Sequence, residues 1–164
     1  MKIYLGTDHA GFELKEKLKV WLKAEGHTVL DEGAFELDPN DDYPDFIKIV
    51  AKLVAADPEN HRGIILGGSG QGEAICANRF AGVRAAVYYG LPRAELGNGQ
   101  DIITLSREHN NANVLALGAR FIKEEEAKKV IDLWLKTKFS GEERHERRIK
   151  KIDEPEMGQI PAEF

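Results

Sequence analysis

The chain has 164 residues, a formal charge of −5 at neutral pH and one cysteine. Such a length suits a single domain that buries about two-thirds of the surface its unfolded form exposes. The acidic balance argues against nucleic acid or an anionic membrane as a partner, and the lone Cys76 excludes an intrachain disulfide framework and a multi-cysteine metal site.

In chain order, the opening MKIYLGTDHAGFELKEK turns charged too early for a signal peptide, and no apolar run reaches the ~20 residues of a membrane span. A cytoplasmic protein is expected. Short apolar or β-branched runs at 2–6, 28–31, 63–67, 85–88 and 114–118 read as strands. Leu14, Leu18, Trp21 and Leu22 form one helical stripe that Gly26 stops. Phe46, Ile49, Val50 and Leu53 suggest a second helix, after the turn-rich DPNDDYPD. A third follows the glycines of LGGSGQGEAICAN, with Cys76 on its core side. Ala127, Val130, Ile131, Trp134 and Leu135 share a face of another helix, which Gly141 is expected to close. Strands alternating with helices predict an α/β fold around a mainly parallel sheet. The final segment, DEPEMGQIPAEF, lacks a period and reads as an irregular tail over 154–164.

Ligands of parallel α/β sheets bind beyond the carboxyl ends of the strands, so the turns there carry the functional argument. The first strand ends in Thr7-Asp8-His9 and the third in Gly67-Gly68-Ser69-Gly70, while His109-Asn110 precedes the fifth. A glycine-rich turn into a helix offers backbone N–H groups to an anion. Here the first charge after Gly72 is Glu73, where a nucleotide-triphosphate loop needs lysine, and no dinucleotide fingerprint can be drawn through the loop. Each residue also has a plain structural reading. Asp8 suits a helix cap near Gly11, His9 a structural hydrogen bond, Ser69 a cap and Glu73 a carboxylate complementing a helix dipole. In GEERHERRIKKI, Arg144 and Arg148 lie one helical turn apart with His145 alongside. Two such guanidinium forks suit a phosphate, although the charge pattern alone favours a solvated face paired with Glu142, Glu143 and Glu146.

Together GTDHAGFELK, DYPD, GGSGQGEAICANRFAGVRAA, REHNNANVLALGAR and RHERR resemble, in order and over residues 1–153, the sugar-phosphate isomerase family of B-type ribose-5-phosphate isomerases and galactose-6-phosphate isomerase subunits. The resemblance implies a Rossmann-like three-layer α/β/α sandwich with a five-stranded sheet, one isomerase domain over 1–153, and cofactor-free interconversion of an aldose and a ketose phosphate through an enediolate. It further implies a homodimer with shared active sites, leaving open whether dimers pair into tetramers. Carried over by motif, Asp8 and His9 contact the sugar. His109, the ring-opening acid, and Asn110 come from the partner subunit. Tyr43 lines the pocket, and Arg120 from the partner joins Arg144, His145 and Arg148 around phosphate. Gly67, Gly68, Gly70, Gln71 and Gly72 form the loop that cradles substrate.

Many family members resembling this chain carry a cysteine base where it has Gly67. Another branch has glycine there and glutamate six residues later, which is the pattern of Gly67 and Glu73. Glu73 is then the base that moves a proton between C1 and C2, with the loop N–H groups and the Ser69 hydroxyl aimed at the developing oxyanion. The helix terminus is expected to favour its ionised form until substrate buries it. The segment between Val87 and His109 is longer than the family pattern. Ribose 5-phosphate is the leading substrate, against another aldose phosphate, of six carbons or fewer, or a non-catalytic phosphosugar-binding module. No metal is implied.

Overall fold

The computed structural model describes residues 1–90 and 101–154. Five strands, β1 (Lys2–Thr7), β2 (Thr28–Asp31), β3 (His61–Gly67), β4 (Ala85–Tyr88) and β5 (Val114–Gly118), pair in the order β2-β1-β3-β5-β4. All four pairings are parallel. The helices are α1 (Phe12–Ala24), α2 (Tyr43–Ala55), α3 (Gln71–Ala77), α4 (Ile102–Glu108), α5 (Glu124–Lys136) and α6 (Glu143–Asp153).

The inner strands are continuously apolar because both faces of the sheet are covered. Alternate residues point to opposite sides. Ile3, Leu5, Ile64, Leu66, Leu115 and Leu117 meet Leu18 and Leu22 of α1 and Val130, Ile131 and Trp134 of α5. Tyr4, Ile65, Val114 and Ala116 meet Ile47, Val50 and Val54 of α2 and Ala74 and Ala77 of α3. The result is the Rossmann-like three-layer sandwich. Cys76 is half-buried against this second cluster. Among the described residues, no helix is long and apolar enough to cross a membrane.

Gly26 ends α1 as its position predicts, at φ 86°, with the His27 N–H donating to the Leu22 carbonyl at 3.1 Å. The stop expected at Gly141 is corrected. α5 finishes at Lys136, where Thr137 turns extended, and Gly141 lies in the connection to α6. Helix α4 is an element the periodicity did not reveal. Asp101 caps it through the N–H groups of Ile103 and Thr104, and Asn111, at φ 44°, turns the chain away beyond its end. The long connection before α4 and the C-terminal tail fall largely outside the described residues.

Strand order fixes where a ligand can lie. The chain winds from β1 to β2 on one side, then crosses to β3 on the other, so the winding reverses between β1 and β3. Such a reversal opens a crevice at the carboxyl edge of the sheet. The register Thr7↔Leu66 sets Asp8 beside Gly67 at that crevice.

Candidate active site

β3 delivers Gly67 to the carboxyl edge, and Gly70 turns the chain into α3 at φ 76°, where glycine is unstrained. Gly70 is also pressed on β5, since a Cβ there would stand 3.1 Å from the Leu117 carbonyl carbon. Gly70, not Ser69, is the N-cap of α3; the Ser69 hydroxyl accepts from the Gln71 N–H at 3.3 Å one residue earlier, which closes a local turn and leaves its own hydrogen as a donor. Gln71 itself is exposed.

Glu73 is the third residue of α3 and only 4% exposed. A Cβ on Gly67 would overlap its carboxylate, with Oε2 at 2.7 Å and Oε1 and the carboxyl carbon closer still. The carboxylate thus lies directly over the Gly67 Cα, in the volume that any larger residue at the head of the loop would fill. Burial raises the Glu73 pKa, the Asp8 charge adds to the rise, and its own backbone N–H opposes it. The fold itself thus supplies the burial that was expected only from substrate, and desolvation outweighs the help a short helix gives. A carboxylate with a raised pKa is the stronger base.

Asp8 is buried and accepts from the Ala10 N–H at 3.0 Å, so it closes a local turn and does not cap α1. His9 is anchored by Asp41, which takes its ring Nδ1–H at 2.6 Å and its backbone N–H at 3.0 Å. That hydrogen bond raises the His9 pKa. Asp8, His9 and Asp41 bring three ligating atoms within 4.8 Å of one another, but Asp41 Oδ1 is already engaged by the imidazole. Sequence reasoning missed Asp41. In DPNDDYPD nothing local separates it from its acidic neighbours; only the fold sets it opposite His9.

Tyr43 opens α2 with its ring over Gly72, where a Cβ would meet Cζ and the hydroxyl at 3.0 Å. The Arg120 guanidinium covers Gly68, its Cζ and Nη1 at 3.2 Å from a Cβ there. Backbone bonds from Ala119 N to Gly67 O (2.8 Å) and Arg120 N to Gly68 O (3.2 Å) tie the end of β5 to the loop. Arg120, assigned by resemblance to a partner subunit, therefore already stands in this chain's own crevice.

The remaining expected residues are elsewhere. α4 runs back to the amino edge of the sheet, where Asn111 N and Ala112 N bond to Arg107 O and Ser106 O at 3.0 Å and Asn113 N bonds to Arg84 O at 3.1 Å. The length of β5, five residues, separates this edge from the glycine loop by about 16 Å. There the rings of His109 and His145 stack with centroids 4.2 Å apart and planes 13° apart. His145 is 3% exposed, its Nε2 makes no hydrogen bond and lies 3.9 Å from Glu142 Oε2, and burial lowers its pKa. Asn110, Arg144 and Arg148 are exposed, and Arg144 Nε donates to Glu142 at 2.7 Å. A cavity of about 800 Å³ also opens at this edge, but Glu59, Glu146, Asp153 and Glu154 outnumber Arg84 and Lys150 in its lining. That balance repels an anionic substrate.

A buried carboxylate held against a loop of unhindered N–H groups, at the winding reversal of a parallel sheet, is the equipment of an α/β enzyme that moves protons on a small anionic substrate. The sequence agrees with that class: the chain belongs to the Ribose/Galactose Isomerase family, whose pattern it matches over residues 3–152. It is 42% identical over 156 residues to ribose-5-phosphate isomerase B of Mycolicibacterium paratuberculosis, covering 95% of this chain and 92% of that protein. Its fold superposes with a TM-score of 0.84, at 38% identity and 93% coverage of each chain, on the crystal structure of the Mycoplasma genitalium isomerase B with bound ribulose-5-phosphate. Against ribose 5-phosphate isomerase B of Thermotoga maritima the TM-score is 0.82, at 44% identity, covering 94% of this chain and 98% of that one.

Proposed function

We propose that the chain interconverts D-ribose 5-phosphate and D-ribulose 5-phosphate through an enediolate, with no cofactor. The observation that carries this reading is the buried Glu73 carboxylate over Gly67. A carboxylate there takes the C2 proton of the open aldose, and the electron pair left behind forms the C1–C2 double bond as charge passes to O1. The loop N–H groups and the Ser69 hydroxyl stabilise that oxyanion. Transfer of the O2 proton to O1 moves the charge to O2, and return of the proton from Glu73 to C1, as the C2–O2 double bond forms, yields the ketose. Asp8, His9 and Tyr43 orient the sugar, and Arg120 neutralises charge beside Gly68.

His109 and Asn110 serve a crevice other than their own chain's. With the two groups at opposite edges of one sheet, a homodimer that sets the amino edge of one subunit against the carboxyl edge of the other supplies ring opening by His109 of the partner subunit. Arg144 and Arg148, exposed on α6, then hold the phosphate across the same boundary. The chain works in the cytoplasm as part of the pentose phosphate pathway. The test is isomerisation of ribose 5-phosphate beside a panel of four- and six-carbon aldose phosphates, with Glu73→Gln as control. Turnover of ribose 5-phosphate that falls at least ~1,000-fold in Glu73→Gln is expected. Near-wild-type turnover by Glu73→Gln, or a strong preference for another sugar, overturns the reading.

A further inference from the structure

Asp41 is tied to His9 more firmly than a passing surface contact requires. A single carboxylate oxygen takes both the ring Nδ1–H, at 2.6 Å, and the backbone N–H, at 3.0 Å. The side chain of Asp41 is 10% exposed and that of His9 31%, so the anchor is sealed behind a ring whose other edge remains accessible. The second oxygen of Asp41 is buried without a partner. Such desolvation is unfavourable, and it is offset here by a charge-assisted bond to the imidazole. With Nδ1 committed, Nε2 is the ring atom left for a ligand.

We propose that Asp41 is a positioning residue of the isomerase site: by holding His9 through its ring and its backbone at once, it fixes the imidazole as an Nε2–H donor to an oxygen of the sugar phosphate. The inference rests on the aldose–ketose isomerase reading above. Three charged groups face His9: Asp8 on its own segment, Asp41 from the connection between β2 and α2, and Arg120 after β5. Two carboxylates against one guanidinium favour the imidazolium, and the Asp41 hydrogen bond is the largest contribution to the raised pKa. An imidazolium beside Arg120 gathers positive charge on the wall of the crevice, where an anionic substrate docks. Neutral His9, with Nδ1–H still given to Asp41, presents only a lone pair at Nε2 and loses that donor. Asp41 thus acts on the substrate only through His9.

Asp41→Asn keeps an acceptor oxygen and the size of the side chain while removing the charge, and Asp41→Ala removes both. The experiment follows the His9 imidazole by NMR titration in the full chain, assigned with His9→Gln, beside kcat and KM for ribose 5-phosphate between about pH 5 and about pH 9. In Asp41→Asn, His9 titrates at lower pH than in the wild type, and the alkaline fall of kcat/KM moves with it. Near neutral pH, KM rises about fivefold in Asp41→Asn and more in Asp41→Ala, with a smaller change in kcat. An unmoved His9 titration in Asp41→Asn overturns the inference. So does a kcat/KM profile lowered equally at every pH in a variant of unchanged melting temperature. Should the wild type fail to turn over ribose 5-phosphate, the functional reading falls, while the His9 titration still decides whether Asp41 controls the imidazole.

Discussion

Gly67→Ala adds one methyl group at the point where the loop and the Glu73 carboxylate share space. The Gly67 backbone is not in the left-handed region, so alanine is admissible there, and the effect comes from the side chain alone. The new carbon would lie 2.7 Å from Glu73 Oε2 and nearer to the rest of the carboxylate. Relieving this to an ordinary separation of about 3.5 Å displaces the carboxylate by about 1 Å or more. Misplacing a reacting group by that much lowers rate by about 100-fold, or about 2.7 kcal/mol of barrier. Stability falls by about 1–3 kcal/mol if Glu73 cannot move aside, and by less if it swings out. The assay is conversion of ribose 5-phosphate with exchange of the C2 proton in deuterated water, beside a denaturant titration. Conversion and exchange should both show kcat reduced far more than substrate affinity, and the titration reads the stability change. Combining Gly67→Ala with Glu73→Ala should recover the lost stability and no activity. A single Gly67→Ala variant with kcat within about threefold of wild type would refute the reasoning, because the base would then work from elsewhere.

Glu73→Gln should abolish turnover and raise the melting temperature at neutral pH. The folded state raises the Glu73 pKa, so ionised Glu73 opposes folding. Its penalty is absent below the unfolded value of 4.5 and develops as pH rises through the folded value, so the gain should vanish in acid. Equal melting temperatures at neutral pH would show that the carboxylate is not desolvated. Mixing inactive Glu73→Gln chains with inactive His109→Asn chains, after dissociation and reassociation, should restore about a quarter of wild-type activity. About half of the dimers are then mixed, each with one whole site of two; no recovery would place both residues in one chain's site. Asn113 is fully buried, donates to Gly82 O at 2.7 Å and Pro58 O at 3.3 Å, and accepts from Arg84 N at 2.8 Å. Asn113→Ala should therefore cost about 3 kcal/mol in a denaturant titration, and a loss under about 1 kcal/mol would mean these groups find other partners.

The strands were legible because burial on both faces writes them as unbroken apolar runs, and three of the five, β2, β4 and β5, have the bounds the pattern predicts. β1 and β3 extend slightly further, through Thr7 and from His61, since pairing continues into residues whose side chains carry no apolar signal. α4 escaped notice because seven residues hold too few turns to show a period. The glycine loop and the acidic Glu73 after it were legible as a local motif, but the burial of Glu73 was not. It depends on Gly67 and Asp8, which the β1–β3 register brings alongside. Arg120 was named by resemblance but given to a partner subunit, and Asp41 was missed, because each meets a residue far from it in sequence across a contact that only the fold creates.

The overlap of position 67 with the Glu73 carboxylate also bears on how such enzymes diverge. A thiol side chain at the head of the loop and a carboxylate six residues later would claim one volume, so the two crowd each other wherever both are present. Passing between them by single replacements leads through a chain with two crowded bases or through one with none. Either intermediate is expected to be poorly active, so a change at position 67 and a change at position 73 are expected to depend on each other.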